Sequence, residues 1–278
     1  MQELKLIPNL ALRARSIRAV ILVGLLSCLS ACEDVFVMNP WEVDVPEDLR
    51  DMNAAAISDL QADLGSQVGT FTFAVVSDPH FYYDDLNDVL QHINADGLSR
   101  FIVVAGDLTD QALTHEFTWY ARMVVESSKP VISLIGNHDH LANGRFIYER
   151  MFGPRNHVFH AGGVRFMLFD NVEFESEVPV DHAWLRHALN EPFDGRTFVF
   201  MHLQPSDVQL EGPPLATLDA IMDQYRPAGV FMGNMHVYAQ GLFSGGTTWT
   251  TAPWPPRREY LRVTIRPDTI LHERVFLP

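Results

Sequence analysis

The sequence predicts an α/β fold with largely adjacent parallel strands, and three observations predict it. Short, continuous apolar runs recur from residue 71 to residue 232, helical patterns fill the stretches between them, and polar clusters follow nearly every run. Apolar runs of that length mark strands buried on both faces. Strand and helix in alternation mark crossovers between parallel neighbours. The expected strands are Phe71–Val76, Phe101–Ala105, Val131–Ile135, Val164–Phe169, Thr197–Met201 and Gly229–Met232. The expected helices between them are Asp84–Asn94, Thr114–Glu126, Gly144–Met151, Asp181–Asn190 and Leu215–Tyr225. From Gly241 onward helix signals cease. Thr247–Thr251, Tyr260–Ile265 and Thr269–Val275, punctuated by Gly and Pro, predict an antiparallel closing section.

The N-terminal region has a different composition. Lys5, Arg13, Arg15 and Arg18 precede the apolar run 19–29, which is short for a membrane span and has the shape of a secretory signal. Leu29-Ser30-Ala31-Cys32 resembles the bacterial lipobox, so residues 1–31 are expected to be a lipoprotein signal peptide. Cys32 is then the lipidated N-terminus of a chain anchored on the extracytoplasmic side of the cell envelope. Residues 32–69 read as an acidic tether with a packing helix, Pro46–Leu64, and residues 70–278 as the folded domain.

Composition narrows the chemistry. Of 278 residues only Cys28 and Cys32 are cysteines, which excludes a disulfide scaffold, a thiolate zinc site and cysteine catalysis in the body of the chain. A formal charge of −15 argues against a protein that coats nucleic acid, an affinity carried by Lys and Arg. The 12 histidines are the more telling number, because several of them stand in the polar clusters after the strands.

Those clusters are Ser77-Asp78-Pro79-His80, Gly106-Asp107-Leu108-Thr109-Asp110, Gly136-Asn137-His138-Asp139, Met201-His202 and Gly233-Asn234-Met235-His236. Ligands of open α/β sheets bind beyond the carboxyl ends of strands, so five such ends converge on one place. Each cluster alone is ordinary turn chemistry. Together, their Asp, Asn and His donors form a set suited to hard or borderline divalent metals.

In order and spacing these motifs resemble those of the calcineurin-like metallophosphoesterases, over roughly residues 71–236. The resemblance implies a four-layer αββα sandwich of two mixed β-sheets. It implies two divalent metal ions (Mn, Fe or Zn), one held by Asp78, His80 and His236 and the other by Asn137 and His202, with Asp107 bridging both. A water or hydroxide shared by the metals would attack phosphorus in a phosphomonoester or phosphodiester. By the same resemblance His138 would stabilise the pentacoordinate charge or protonate the leaving oxygen, and Asp139 would orient its imidazole. Asp110, Asp170 and Asn171 also lie near strand ends, with no role assigned.

One departure stands out. The family's last motif is Gly-His-x-His, and Asn234 occupies its first His position. Asn234 could ligate through its oxygen, a water or His140 could fill the gap, or the second position could rest empty. An amide oxygen is a weaker ligand than imidazole for a borderline metal, so one tight and one weak site are expected. Arg145, Arg155, Arg257 and Arg258 are candidate cations near the site, and Trp254, in a Pro-rich stretch, a candidate pocket wall. The leading expectation is a lipid-anchored phosphoesterase acting on a small phosphate ester. The alternative is a catalytically weak or silent lipoprotein binding module that keeps the fold. Net acidity counts against a nuclease.

Overall fold

The computed structural model describes residues 43–66 and 69–278. Residues 1–31, expected to be a signal peptide, and Cys32 lie outside the described residues. Among the described residues eleven strands form two mixed sheets. In the first the order is β11(Ile270–Phe276), β10(Glu259–Ile265), β1(Phe71–Val76), β2(Ser99–Ala105), β3(Val131–Leu134). In the second it is β4(His157–Ala161), β5(Val164–Leu168), β6(Arg196–Phe200), β7(Gly229–Met232), β9(Thr248–Thr251), β8(Ala239–Leu242). Strands β1, β2 and β3 run parallel, as do β5, β6, β7 and β9.

Three apolar clusters separate four layers. Alternate residues of β1 take opposite sides: Phe73 and Val75 join the inter-sheet core, while Ala74 and Val76 face helices. The inter-sheet core is aromatic, with Phe73 stacked on Phe101 at 5.0 Å and Phe166 stacked on Phe159 at 5.0 Å. Helices α2(Tyr83–Asp96), α3(Thr114–Val125) and α4(Gly144–Met151) cover the first sheet through Leu86, Val89, Phe117, Tyr120 and Tyr148. Helices α5(His182–Asn190) and α6(Pro213–Tyr225) cover the second through Leu185, Leu218 and Ile221. Both faces of the central strands are thus dry, which is why those strands are continuous apolar runs.

Several features depart from the sequence reading: β8 is a strand it does not predict, and the helix it expects over Pro46–Leu64 begins only at Met52, after a short turn at Glu47–Leu49. Strand β4 was not expected; it forms a hairpin with β5 through Gly162 and Gly163, both at positive φ. The closing section is not wholly antiparallel. Its first strand, β9, lies parallel to β7 in the second sheet, and only then does the chain cross to place β10 antiparallel to β1.

Ahead of the sandwich, helix α1(Met52–Leu64) buries Ile57 and Leu60 in the inter-sheet cluster. Asn53 on this helix closes the free edge of β3: its Nδ2 donates to Ser133 O at 2.8 Å and its Oδ1 accepts from Ser133 N at 2.8 Å. Asn53→Ala strips a buried N–H of its acceptor and is expected to cost about 1–3 kcal/mol. A chemical denaturation midpoint unchanged from the parent would contradict this role for Asn53.

Candidate metal centre

The parallel strands of both sheets end on one side, and the chain leaves each by a sharp turn. Asp78, His80, Asp107, Asn234 and His236 all have positive φ, between 45° and 66°. Non-glycine residues in this region carry about 1–3 kcal/mol of strain each, a cost that concentrates where geometry serves function. Cross-connections hold the turns in place. Asp78 N donates to Gly106 O at 3.1 Å, His80 N to Asp107 O at 3.0 Å and Gly233 N to His202 O at 3.0 Å. Gly106 and Gly233 let the two sheets close on His202: a Cβ at either would stand 2.3 and 2.9 Å from its Nδ1.

Two groups of donors result, and Asp107 stands between them. In the first, His80 Nε2 and His236 Nε2 are 3.3 Å apart, and Asp78 Oδ1 lies 3.6 Å from His236 Nε2. In the second, His202 Nε2 lies 3.2 Å from Asp107 Oδ2 and 3.1 Å from Asn137 Oδ1. Asp107 Oδ2 is also 3.6 Å from His80 Nε2. His202 Nδ1 donates to Ala105 O at 2.7 Å, which commits that proton to the backbone and aims Nε2 at the oxygens. Carboxylates and amide oxygens only accept, so where these side chains face one another the only side-chain donors are imidazole protons. A divalent cation meets that surplus of acceptors, and the chemistry of these donor groups fits one.

The titration behaviour has the same origin. Burial pushes the Asp78 carboxyl up to about 7, against the opposing pull of His202. Burial works against a charged His202, but Asp107 and Asp78 outweigh it and raise its pKa to about 10. Burial takes His80 down to about 4. Each displacement is the balance of burial against the charges that face the group.

The sequence-predicted residues Asp78, His80, Asp107, Asn137, His138, His202 and His236 come together here. Asp139 does not orient His138. Its carboxylate accepts from Leu108 N, Gly136 N, Thr109 N and Thr109 Oγ1 at 2.8–3.0 Å, clamping the turns after β2 and β3 to each other. The short helical turn His138–His140 points adjacent side chains in different directions, which separates Asp139 from the neighbouring ring. Asp110 does the orienting: its carbonyl accepts from His138 Nδ1 at 2.8 Å. A main-chain carbonyl leaves no trace in sequence.

Other candidates resolve as well. Asn171 Oδ1 accepts from His202 N at 3.1 Å and Leu203 N at 3.0 Å, so it positions the loop of a donor. His140 commits Nε2 to Asp170, 3.1 Å away, and Arg155 also pairs with Asp170. Arg258 pairs with Asp88 and Arg145 stacks on Phe146, leaving Arg257, bonded to His236 O at 2.9 Å, as the cation that touches the site. Trp254 lies parallel to His236 with ring centroids 4.6 Å apart, and Tyr82 meets it edge-on at 5.0 Å. Asn234 donates its backbone N–H to both Asp78 oxygens at 3.0 Å and its side-chain NH2 to Asp207 at 2.6 Å. Asp207 and Glu175, the latter accepting from Asn137 Nδ2 at 3.1 Å, were not singled out in the sequence.

With this geometry in place, comparison with known proteins is decisive. The family model described as calcineurin-like phosphoesterase matches residues 71–238, more than half of the chain. The chain belongs to that family. Its donor clusters fit the family's divalent metals, and the broad class is metal-dependent phosphoesterase. A dimetal phosphatase from Danio rerio is similar in structure, with TM-score 0.60 and 14% identity, covering 73% of this chain and 95% of its own. A purple acid phosphatase from yellow lupin (Lupinus luteus) seeds gives TM-score 0.60 at 13% identity, covering 75% of this chain and 52% of its own. A 5'-nucleotidase from Candida albicans gives TM-score 0.54 at 14% identity, covering 76% of this chain and 52% of its own. The chain therefore spans about half the length of the last two. At these identities the likeness is one of fold, and it places this phosphoesterase among αββα sandwiches. No curated protein sequence matches the chain.

The raised pKa of His202 makes a stability prediction for the metal-free phosphoesterase. The folded protein holds a proton there up to about pH 10, while an unfolded His releases it near 6.5. The stabilisation is therefore complete below pH 6.5 and is lost as pH rises toward 10. The thermal midpoint of chelator-stripped protein should fall between pH 6.5 and 9, and saturating divalent cation should abolish the fall. A midpoint independent of pH over that window would contradict the assignment.

Proposed function

We propose that the chain is a dinuclear hydrolase of small phosphate monoesters or diesters. The sharing of one buried carboxylate, Asp107, between two clusters of imidazole and oxygen donors carries the reading. Asp78, His80 and His236 would hold one cation, Asn137, His202 and Asn234 the other, with Asp107 between them. Two divalent ions supply Lewis acidity toward the phosphoryl oxygens and lower the pKa of water.

The chain's own residues do the rest. His138 is half-exposed at the edge of the cluster, and its Nδ1–H is fixed on the Asp110 carbonyl, so Nε2 is the nitrogen that faces outward to exchange a proton. Burial disfavours its charge, but Asp107 and the Asp110 carbonyl outweigh that and raise its pKa, which keeps Nε2 protonated closer to neutral pH. In that state it donates to the leaving oxygen. Asp139 keeps the two turns that carry Asp107 and His138 in register. Trp254 and Tyr82 form an apolar wall beside His236, which excludes water from one side of the reacting group.

Hydrolysis of chromogenic phosphate mono- and diesters with added manganese or zinc tests the reading. Activity should vanish in Asp107→Ala, and His138→Ala should lower turnover about 10²- to 10⁴-fold. Equal rates in the parent and Asp107→Ala would overturn it.

The anchoring of this domain by an acylated Cys32 belongs to the same proposal and is supported by the lipobox-like residues 29–32. Among the described residues no helix is long and apolar enough to cross a membrane. Cys32→Ser should move the protein from the membrane to the soluble fraction of its host, and an unchanged distribution would contradict anchoring through Cys32.

A further inference from the structure

Two asparagines, Asn137 and Asn234, lie in the turns that follow β3 and β7, and both have their side-chain nitrogen engaged by a carboxylate. Asn137 Nδ2 donates to Glu175 Oε1 at 3.1 Å. Asn234 Nδ2 donates to Asp207 Oδ2 at 2.6 Å and to Gln204 Oε1 at 3.1 Å. Gln209 ties the two carboxylates together: its Nε2 donates to Glu175 Oε1 at 2.9 Å and its backbone N–H to Asp207 Oδ1 at 2.8 Å. The result is one hydrogen-bonded arch, Asn137 to Glu175 to Gln209 to Asp207 to Asn234.

A carboxylate can only accept, so it dictates which end of an amide faces it. Each asparagine must present nitrogen to the arch, which leaves its oxygen as the free polar atom. For Asn137 the consequence is visible, since its Oδ1 lies 3.1 Å from His202 Nε2. The arch itself has acceptors to spare, for Glu175 Oε2 and Gln209 Oε1 are buried without a hydrogen-bond partner.

Resting on the two-cation reading above, we propose that the arch converts Asn234 into an oxygen ligand and makes the second position selective for a hard divalent cation, Mn²⁺ or Mg²⁺. The donors there are the Asp107 carboxylate, the amide oxygens of Asn137 and Asn234, and one imidazole nitrogen, His202. The first position sets two imidazoles, His80 and His236, beside Asp78 and Asp107. Oxygen-rich sets favour hard ions and imidazole-rich sets favour borderline ions such as Zn²⁺, so the two positions differ in the metal they prefer. Asp207 is a positioning residue in this scheme and touches no cation.

Calorimetric titration of the metal-free full chain with Mn²⁺ and with Zn²⁺ tests the proposal without reference to activity. The parent should show two sites, the weaker one favouring Mn²⁺ over Zn²⁺ relative to the tighter one. Asp207→Ala should weaken that site for Mn²⁺ about 10- to 100-fold, the usual effect of removing a group that orients a ligand, and leave the tight site unchanged. Asn234→Ala should do the same, and the double variant should be no weaker than either single one, because both remove the same interaction. Asp207→Asn, which keeps an accepting oxygen, should retain the site, and Asn234→His should make it insensitive to Asp207→Ala and shift it toward Zn²⁺. Additive losses, an unaffected second site in Asp207→Ala, or a loss in Asp207→Ala with none in Asn234→Ala would overturn the proposal, the last by making Asp207 the ligand. Two bound cations with an indifferent arch would leave the dinuclear reading standing, whereas a parent that binds no cation would overturn both.

Discussion

A carboxylate sealed from solvent and shared by two sets of imidazoles governs this structure. Asp107 is 1% exposed, lies 3.2 Å from His202 Nε2 and 3.6 Å from His80 Nε2, and also accepts the His138 backbone N–H at 2.9 Å. A buried charge costs several kcal/mol unless it is paired. Here the partners are titratable rings and, beyond them, another buried carboxyl, Asp78, so protons alone balance the cluster poorly. The pKa displacements on Asp78, His80 and His202 express one electrostatic imbalance at three atoms. Cations resolve it all at once.

The sandwich exists to hold that arrangement against its own repulsion. Each sheet contributes strand ends, and the sheets are brought together by an inter-sheet core of phenylalanines whose rings interlock edge to face, as Phe73 does with Phe166 at 6.0 Å and with Phe231 at 5.6 Å. Directly above that core His202, from the second sheet, bonds to Ala105 at the end of β2 in the first. The turns beyond are tightened into left-handed backbone and fastened by Asp139, which spends all its capacity on the loops after β2 and β3. Strain at the turns and a charge buried beneath them are tolerated because the strands under them cannot move apart without opening a dry aromatic layer.

How much of this could be read from the sequence follows from what sequence encodes. Strands buried on both faces announce themselves by hydropathy, and the polar residue that follows each one marks a site, so Asp78, His80, Asp107, Asn137, His202 and His236 were legible together. Adjacency misled for Asp139, because residue spacing says nothing of the short helical turn that swings it away from His138. The partner that does hold His138 is a carbonyl, invisible to residue identity. Glu175 and Asp207 sit in irregular segments between β5 and α5 and between β6 and α6, where no periodicity flags them. β4 was hidden for a related reason: its burial is uneven, with His157 and Val158 only half-covered, so it lacks the apolar run by which its neighbours were found.

The substitution at Asn234 also looks different in three dimensions. Read as a letter, it is a lost imidazole. In place, it is an amide whose backbone N–H serves the Asp78 carboxylate and whose side chain is braced by Asp207 and Gln204, so the position is supported rather than decayed. The most direct measurement of the central claim is anomalous X-ray diffraction from crystals of the full domain equilibrated with Mn²⁺. Two anomalous peaks flanking the Asp107 carboxylate, about 3.5–4 Å apart as in two-metal hydrolytic centres, are the predicted result. Peaks remote from Asp107, or none at saturating Mn²⁺, would contradict it.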